Sequence, residues 1–274
     1  MRRKMLFVSI ALLVMLFFVE TASAQVNVAT LKQLQAALAG NDEEIIVTKT
    51  IVIDEDLTLD GGGKTVKLDS NARIQLINSA TFEHITIDGG ELQRSNSLVV
   101  VDGNEGVTLT LGDGAIIQNA RTSRNGGAIE LSSAKLQMNG GRILNCTAQN
   151  GGGIYLGSYS VVQMDDGTIS RCKADENGGA IFSYVDSGSN EVNLTGGTIE
   201  GNSAKIGGGV YINYYTVVEP TDAPPVQGSE ARCFRGCIQP HRRRVMRQYG
   251  DGRRRGFGDC FRQSCFAGHA GRAV

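Results

Sequence analysis

The 274-residue chain has no tryptophan, an aromatic content of 6%, and three histidines, of which only His84 lies outside the last 56 residues. A core built on large rings is excluded, and apolar burial has to come from aliphatic side chains. No zinc-binding helix motif, glycine-rich nucleotide loop or nucleophile elbow occurs, and His84 precedes a strand pattern with no partner motif near it in sequence. Nothing in the chain points to an enzyme or to a cofactor. The longest apolar run, residues 5–19, is also too short to cross a bilayer, which takes roughly 20 residues. Arg2, Arg3 and Lys4 precede that run and Ala22-Ser23-Ala24 follows it, the layout of a secretory signal peptide over residues 1–24 with cleavage between Ala24 and Gln25. No cysteine lies at the cleavage site, so a lipid anchor is not indicated. The mature chain is expected to be secreted or at the cell surface, without a transmembrane span.

Glycine is abundant, with 36 residues, and it is placed periodically. A six-residue pattern occurs as LTLDGG from Leu57, ITIDGG from Ile85, LTLGDG from Leu109, LQMNGG from Leu136, VQMDDG from Val162 and VNLTGG from Val192. The mean interval is 27 residues, too short for a domain, so each unit must be one coil stacked on its neighbours. Apolar and polar residues alternate within each copy and glycine follows, as in a strand with one buried face that ends in a turn. A second series, GGAIEL from Gly126, GGGIYL from Gly151, GGAIFS from Gly178 and GGGVYI from Gly207, keeps the same period. Ahead of its members lie Ile116 with Asn119, Ile143 with Cys146, Ile169 with Cys172, and Ile199 with Asn202. Two registers thus agree on one coil, expected to be triangular with three short strands.

These paired motifs resemble the GGAI and FxxN repeats of polymorphic outer-membrane proteins, within the right-handed parallel β-helix proteins of bacterial surfaces and the pectate-lyase-like superfamily. Here Ile stands in the Phe position, and Cys146 and Cys172 replace two of the Asn. The resemblance implies an all-β fold, a single-stranded right-handed parallel β-helix of about seven rungs over residues 41–218, counted from the coil length. The handedness also follows the rule for parallel crossovers. An architecture shared by lyases, hydrolases and adhesins does not by itself specify an activity.

Residues 25–40 are expected to cap the solenoid. In TLKQLQAALAG, Thr30 stands at a helix N-cap position, Leu31, Leu34 and Leu38 share one face, and Gly40 ends the pattern. Composition changes after residue 218. Residues 219–274 hold 11 Arg, no Lys and 5 acidic residues, whereas residues 25–218 hold 13 Lys and Arg against 22 Asp and Glu. The tail also carries Cys233, Cys237, Cys260 and Cys265 with His241 and His269. A basic arm for nucleic acid or a membrane surface and a loose zinc site are two readings of it. The reading adopted is a basic, disordered tail, out of frame with what precedes it, and no nucleic-acid partner is expected.

In register, Leu57, Ile85, Leu109, Leu136, Val162 and Val192 are expected to stack inward beside Leu59, Ile87, Leu111, Met138, Met164 and Leu194. Thr58, Thr86, Thr110, Gln137, Gln163 and Asn193 then form an outward polar ladder, and Asp60, Asp88, Asn139 and Asp165 a turn column. Asn119 and Asn202 are expected in an internal Asn ladder shared with Cys146 and Cys172. Those two cysteines fall on adjacent rungs, within the Cα separation of about 4.4–6.8 Å that a disulfide needs. They are a disulfide candidate, and two stacked free thiols are the alternative. Alternation along GGGIYL and its copies places Tyr155, Phe182 and Tyr211 outside, as an aromatic row that either binds a glycan or a host or cell-surface protein or braces the sheet. The function expected is an exported, non-catalytic, adhesin-like surface protein; a truncated polysaccharide lyase or hydrolase is the alternative.

Overall fold

A computed structural model of the chain describes residues 25–42, 44–103, 106–185, 189–215 and 229–234. They form a right-handed parallel β-solenoid of about six turns, consistent with the expected rung count. The signal-peptide region including Ala24, and most of the basic tail, lie outside the described residues. Among the described residues no helix is long and apolar enough to cross a membrane.

The coils run over four sides, the fourth carrying a strand only from Gln93 to Asn177. The first carries Ile51–Ile53, Ile74–Leu76, Val99–Asp102, Ile129–Ser132, Ile154–Leu156, Ile181–Val185 and Val210–Tyr215, stacked in that order and all parallel. Ser229–Phe234, from the basic tail, pairs antiparallel with the last of these. The second side starts at Leu57–Asp60, the third at Gln25–Val28, and the fourth comprises Gln93–Arg94, Arg121–Thr122, Thr147–Asn150 and Lys173–Asn177. In place of the expected triangle, the long strands Lys135–Leu144 and Val161–Ser170 run around the corner between the second and third sides, joining both into one 12-stranded sheet. Gly140 and Gly141 make that bend possible, because a Cβ on Gly141 would lie 2.5 Å from the Leu111 Cβ.

The GGAI register holds as expected, with Ile129, Ile154, Ile181 and Val210 paired in sequence. The other register is corrected at its second copy. Leu57 and Leu59 pair with Ala80 and Phe82 of Ala80–Glu83, not with Ile85 and Ile87. Thr86–Asp88 belongs to the third side, between Thr65–Leu68 and Ile116–Gln118. The motif misleads because one turn chemistry serves two corners. Asp60 Oδ1 accepts from Gly62 N at 2.9 Å and Asp88 Oδ1 accepts from Gly90 N at 2.7 Å, each turn with a left-handed glycine. The inward columns are therefore Leu57, Ala80, Leu109, Leu136, Val162, Val192 and Leu59, Phe82, Leu111, Met138, Met164; Leu194, expected inward and in register with Met164, is instead 41% exposed on the last described strand of this side. The outward ladder runs through Thr81, not Thr86, and Asp88 leaves the turn column, its place there taken by Glu83.

Interior Val, Leu and Ile side chains are almost wholly buried, each contributing about 1.5–3 kcal/mol. At the start, Leu31–Ala39 forms the expected helix, with Thr30 Oγ1 accepting from Gln33 N, and Leu34 and Ala37 buried on the first rungs. The cap is shorter than expected, since Gln25–Val28 is already a strand, paired with Glu44–Val47. Lys64, two coil sides away, donates through Nζ to the carbonyls of Ala37 (3.2 Å), Leu38 (2.6 Å) and Gly40 (2.6 Å), closing the helix C-terminus with a cation.

Two substitutions test this arrangement. Lys64→Met keeps the aliphatic stem and removes those three bonds, and is expected to lower stability by about 1–3 kcal/mol in urea unfolding. Gly152→Ala should be more severe, because its Cβ would lie 2.4 Å from the Gly179 carbonyl oxygen of the next rung; loss of the cooperative unfolding transition is the expected readout.

Candidate functional site

The corner between the fourth and first sides carries the amide ladder of this solenoid. Asn150 Nδ2 donates to Asn125 Oδ1 at 3.0 Å, and Asn177 Nδ2 donates to Asn150 Oδ1 at 2.8 Å. Each Asn precedes the glycine pair of a GGAI-type motif, so the signal in sequence was Asn-Gly-Gly at a fixed phase; Ile206 ends the ladder one rung on. The ladder expected at Asn119 is corrected. Ile117, not Ile116, pairs with Ile143, which puts Ala120 in the column of Cys146 and leaves Asn119 outside it, donating to the Asp88 carboxylate. Asn202 does bond the turn backbone, accepting from Cys172 N and donating to Ile169 O, both at 2.8 Å.

Cys146 and Cys172 lie on adjacent rungs of one inward column, both fully buried and both free thiols. Cys146 Sγ donates to Leu144 O at 3.2 Å and Cys172 Sγ to Ser170 O at 3.5 Å. Burial pushes Cys146 well above the ordinary thiol value, while the neighbouring Cys146 thiol holds Cys172 below it.

On the first side, Glu130, Tyr155, Phe182 and Tyr211 stack in one outward column. Phe182 lies 5.8 Å from Tyr155 and 5.6 Å from Tyr211 between ring centroids, the second pair within 9° of parallel. The rings point away from the interior but cover one another: Phe182 is 5% exposed, Tyr211 8%, and Tyr155 is half-buried. The open aromatic surface is instead offered by Tyr184, 37% exposed and 6.3 Å from Phe182, and by Tyr159, 52% exposed. Beneath the row, burial raises the Glu130 carboxyl above the ordinary glutamate value, against the lowering pull of Arg73 and Arg124.

The second side divides in two along its outward ladder. Towards the C-terminal end, the amides are mutually engaged: Gln137 Nε2 donates to Asn139 Oδ1 and Asp165 Oδ2, both at 2.8 Å, and Gln163 and Thr195 also donate to Asp165. Those bonds, Thr195's first, hold Asp165 below the ordinary aspartate value. Towards the N-terminal end, Thr58, Thr81, Thr108 and Thr110 line a shallow open depression of about 450 Å³ with Ser79 and Asp56. Ser79 and Asp56 accept backbone bonds there (Thr108 N to Ser79 Oγ, 3.1 Å; Ser79 N to Asp56 Oδ1, 2.9 Å). The four threonine hydroxyls make no hydrogen bond to any described residue. They stand on three consecutive rungs about 4.8 Å apart.

At the neighbouring corner, His84 Nδ1 lies 3.4 Å from Asp60 Oδ1, both exposed, a pairing that sequence could not show because it crosses between rungs. Asp60 is held below the ordinary aspartate value first by the Gly62 N–H and then by His84. Asp166, beside Asp165 in the strand Val161–Ser170, accepts from Gly167 N at 2.7 Å. Among the described residues no three His, Cys, Asp or Glu side chains form a group that could hold a metal ion.

Comparison with protein-family models, with curated proteins and with solved structures finds no match for this chain. The likeness to surface β-helix repeats therefore stands on its motifs, and the fold on the strand pairing.

Asn150→Ala removes three side-chain bonds, two to the ladder amides and one from Asn177 N, and strands two half-buried amides; it should cost about 1–3 kcal/mol in chemical unfolding. For Glu130, the folded state binds more protons than the unfolded chain between the ordinary glutamate value and its raised one, so stability falls as pH rises through that interval. Glu130→Gln should abolish this loss, giving urea midpoints that are flatter with pH and higher than those of the parent above the interval.

Proposed function

We propose that this protein is an exported, non-catalytic, adhesin-like surface protein whose rigid sides bind a glycan or a protein partner. The observation that carries the reading is the hydroxyl-lined depression of the second side. Four threonine hydroxyls without a described protein partner occupy it, while the same ladder a few rungs on is fully engaged with itself. Hydroxyls presented at rung spacing suit the donors and acceptors of a sugar chain laid along the solenoid axis, since one pyranose unit is close to one rung in length. Phe182 and Tyr211 support binding by bracing half-buried Tyr155 and exposed Tyr184, the two rings of this row with surface to offer. Secretion is supported by the pattern of residues 1–24. Likeness to pectate-lyase-like and polymorphic outer-membrane repeats supports a place at a bacterial surface.

A glycan array probed with the folded protein tests this reading. Binding to a neutral or acidic polysaccharide that Thr81→Val and Thr110→Val abolish, with thermal stability unchanged, is expected. Loss on Tyr155→Ala and Tyr184→Ala alone would place the contact on the first side. A second reading, a truncated polysaccharide lyase or hydrolase, is favoured by the Asp60–His84 pair at the end of a second-side strand. Release of reducing or unsaturated ends from polygalacturonate or alginate, lost in Asp60→Asn, would establish it over the first.

Export also assigns a state to Cys146 and Cys172. In an oxidising compartment a disulfide donor exchanges with them, their two S–H bonds giving one S–S bond while the donor is reduced to two thiols. Such a bridge would add about 3 kcal/mol. Protein secreted from cells should resist alkylation at both residues after unfolding without reductant; full alkylation there would exclude the bridge.

A further inference from the structure

The chain contains four Asn-Gly dipeptides, at Asn125, Asn139, Asn150 and Asn177, and the fold treats one of them differently from the rest. Asn-Gly is chemically fragile when two conditions are met. The glycine N–H must be free to attack the asparagine side-chain carbonyl, and that side chain must be free to turn toward it.

Neither condition holds in the amide ladder. Gly126 N donates to Asn150 O, Gly151 N to Asn177 O and Gly178 N to Ile206 O, each at 2.9 Å, so every candidate nucleophile is engaged by the next rung. The side chains of Asn125, Asn150 and Asn177 are tied together in the ladder and are half-buried. Opening one site would break bonds on two rungs.

Asn139 stands at the bend of Lys135–Leu144. Register with Val161–Ser170 breaks on both sides of it, so the Asn139–Asp166 pair stands alone between two registered stretches, with Gly140 and Gly141 in the break. Its side chain is exposed and holds a single bond, from Gln137 Nε2. Glycine is nevertheless required after it, since a Cβ on Gly140 would lie 2.6 Å from Asp113 Oδ1. The corner that lets the strand turn thus forces a labile dipeptide onto the surface. Its partner one rung on is Asp166, itself followed by glycine, so an acid is already accommodated at this position.

We propose that Asn139 is a site of spontaneous deamidation and that the three ladder asparagines are protected by the fold. The Gly140 nitrogen attacks Asn139 Cγ, the C–N bond to the side-chain amide breaks and ammonia leaves, giving a succinimide. Water then opens the ring to aspartate or isoaspartate. The product places a second carboxylate against Gln137, which already donates to Asp165, and adds one negative charge to an acidic body.

The test is peptide mapping of the purified protein held at mildly alkaline pH, folded and in concentrated urea, scoring amide-to-acid conversion and isoaspartate at each of the four sites. In the folded protein Asn139 should convert at least roughly tenfold faster than any ladder asparagine. In urea all four should convert at similar rates, and Asn139→Gln should remove the folded-state conversion without lowering the melting temperature. Equal rates at Asn139 and the ladder in the folded protein would overturn the proposal. So would an Asn139 that stays intact when folded but converts in urea. Neither outcome depends on what the protein binds.

Discussion

The fold depends on one relation, the in-register stacking of each coil on the next, with the solenoid strands hydrogen-bonded in parallel from rung to rung. At about 4.8 Å per rung, like side chains fall on like side chains. Apolar ones then fill a narrow core that is aliphatic except at Phe82, as Ile129, Ile154, Ile181 and Val210 do. Polar ones form columns that are either self-satisfied or presented to solvent. The tightest expression of this constraint is at the glycine pairs, where a Cβ on Gly127 or Gly179 would lie 2.1 Å from a carbonyl of the following rung. No larger residue fits while the rungs keep their spacing.

Irregular coils are accommodated by single side chains. The interval between Leu57 and Ala80 is 23 residues, against 29 from Ala80 to Leu109, because the shorter coil has a turn through Asp69 where later coils have a fourth-side strand. Arg94, on the rung above, occupies the space. It is 4% exposed, its guanidinium donates to the carbonyls of Leu68 and Asp69, and burial lowers its pKa from the ordinary arginine value. An inward arginine there adds charge-assisted bonds to the Leu68 carbonyl and to that of Asp69, which also accepts from Ala72 N. Lys64 does the same for the last carbonyls of the helix cap. Both cations serve backbone carbonyls where the regular repeat falters.

A surface made of columns also separates presentation from support. The aromatic column and the amide column around Asp165 spend their interactions on one another, which stiffens the sides. The threonines of the depression do not: their hydroxyls bond no described residue, whereas Gln137, Gln163 and Thr195 all converge on the Asp165 carboxylate.

The coil length, the parallel solenoid, the capping helix at Thr30 and the inward GGAI column were legible in the amino-acid sequence. Each rests on local pattern: alternation within a strand, an N-cap residue, a recurring glycine pair. Which glycine turn lies above which was not. LTLDGG at Leu57 and ITIDGG at Ile85 share a turn chemistry and occupy different corners, since Asx-type turns depend on neighbours within three residues and carry no information about the rung they end on. The one-residue offset of Asn119 from the cysteine column, the ladder at Asn125, Asn150 and Asn177, and the meeting of His84 with Asp60 have the same origin. They are contacts between residues about 24 to 31 apart, and their phase is set by how strands of unequal coils settle into hydrogen-bonded register. Exposure of the aromatic row was likewise decided in three dimensions. Alternation places Phe182 outside, but only stacking at ring separations below 6 Å closes its surface to water.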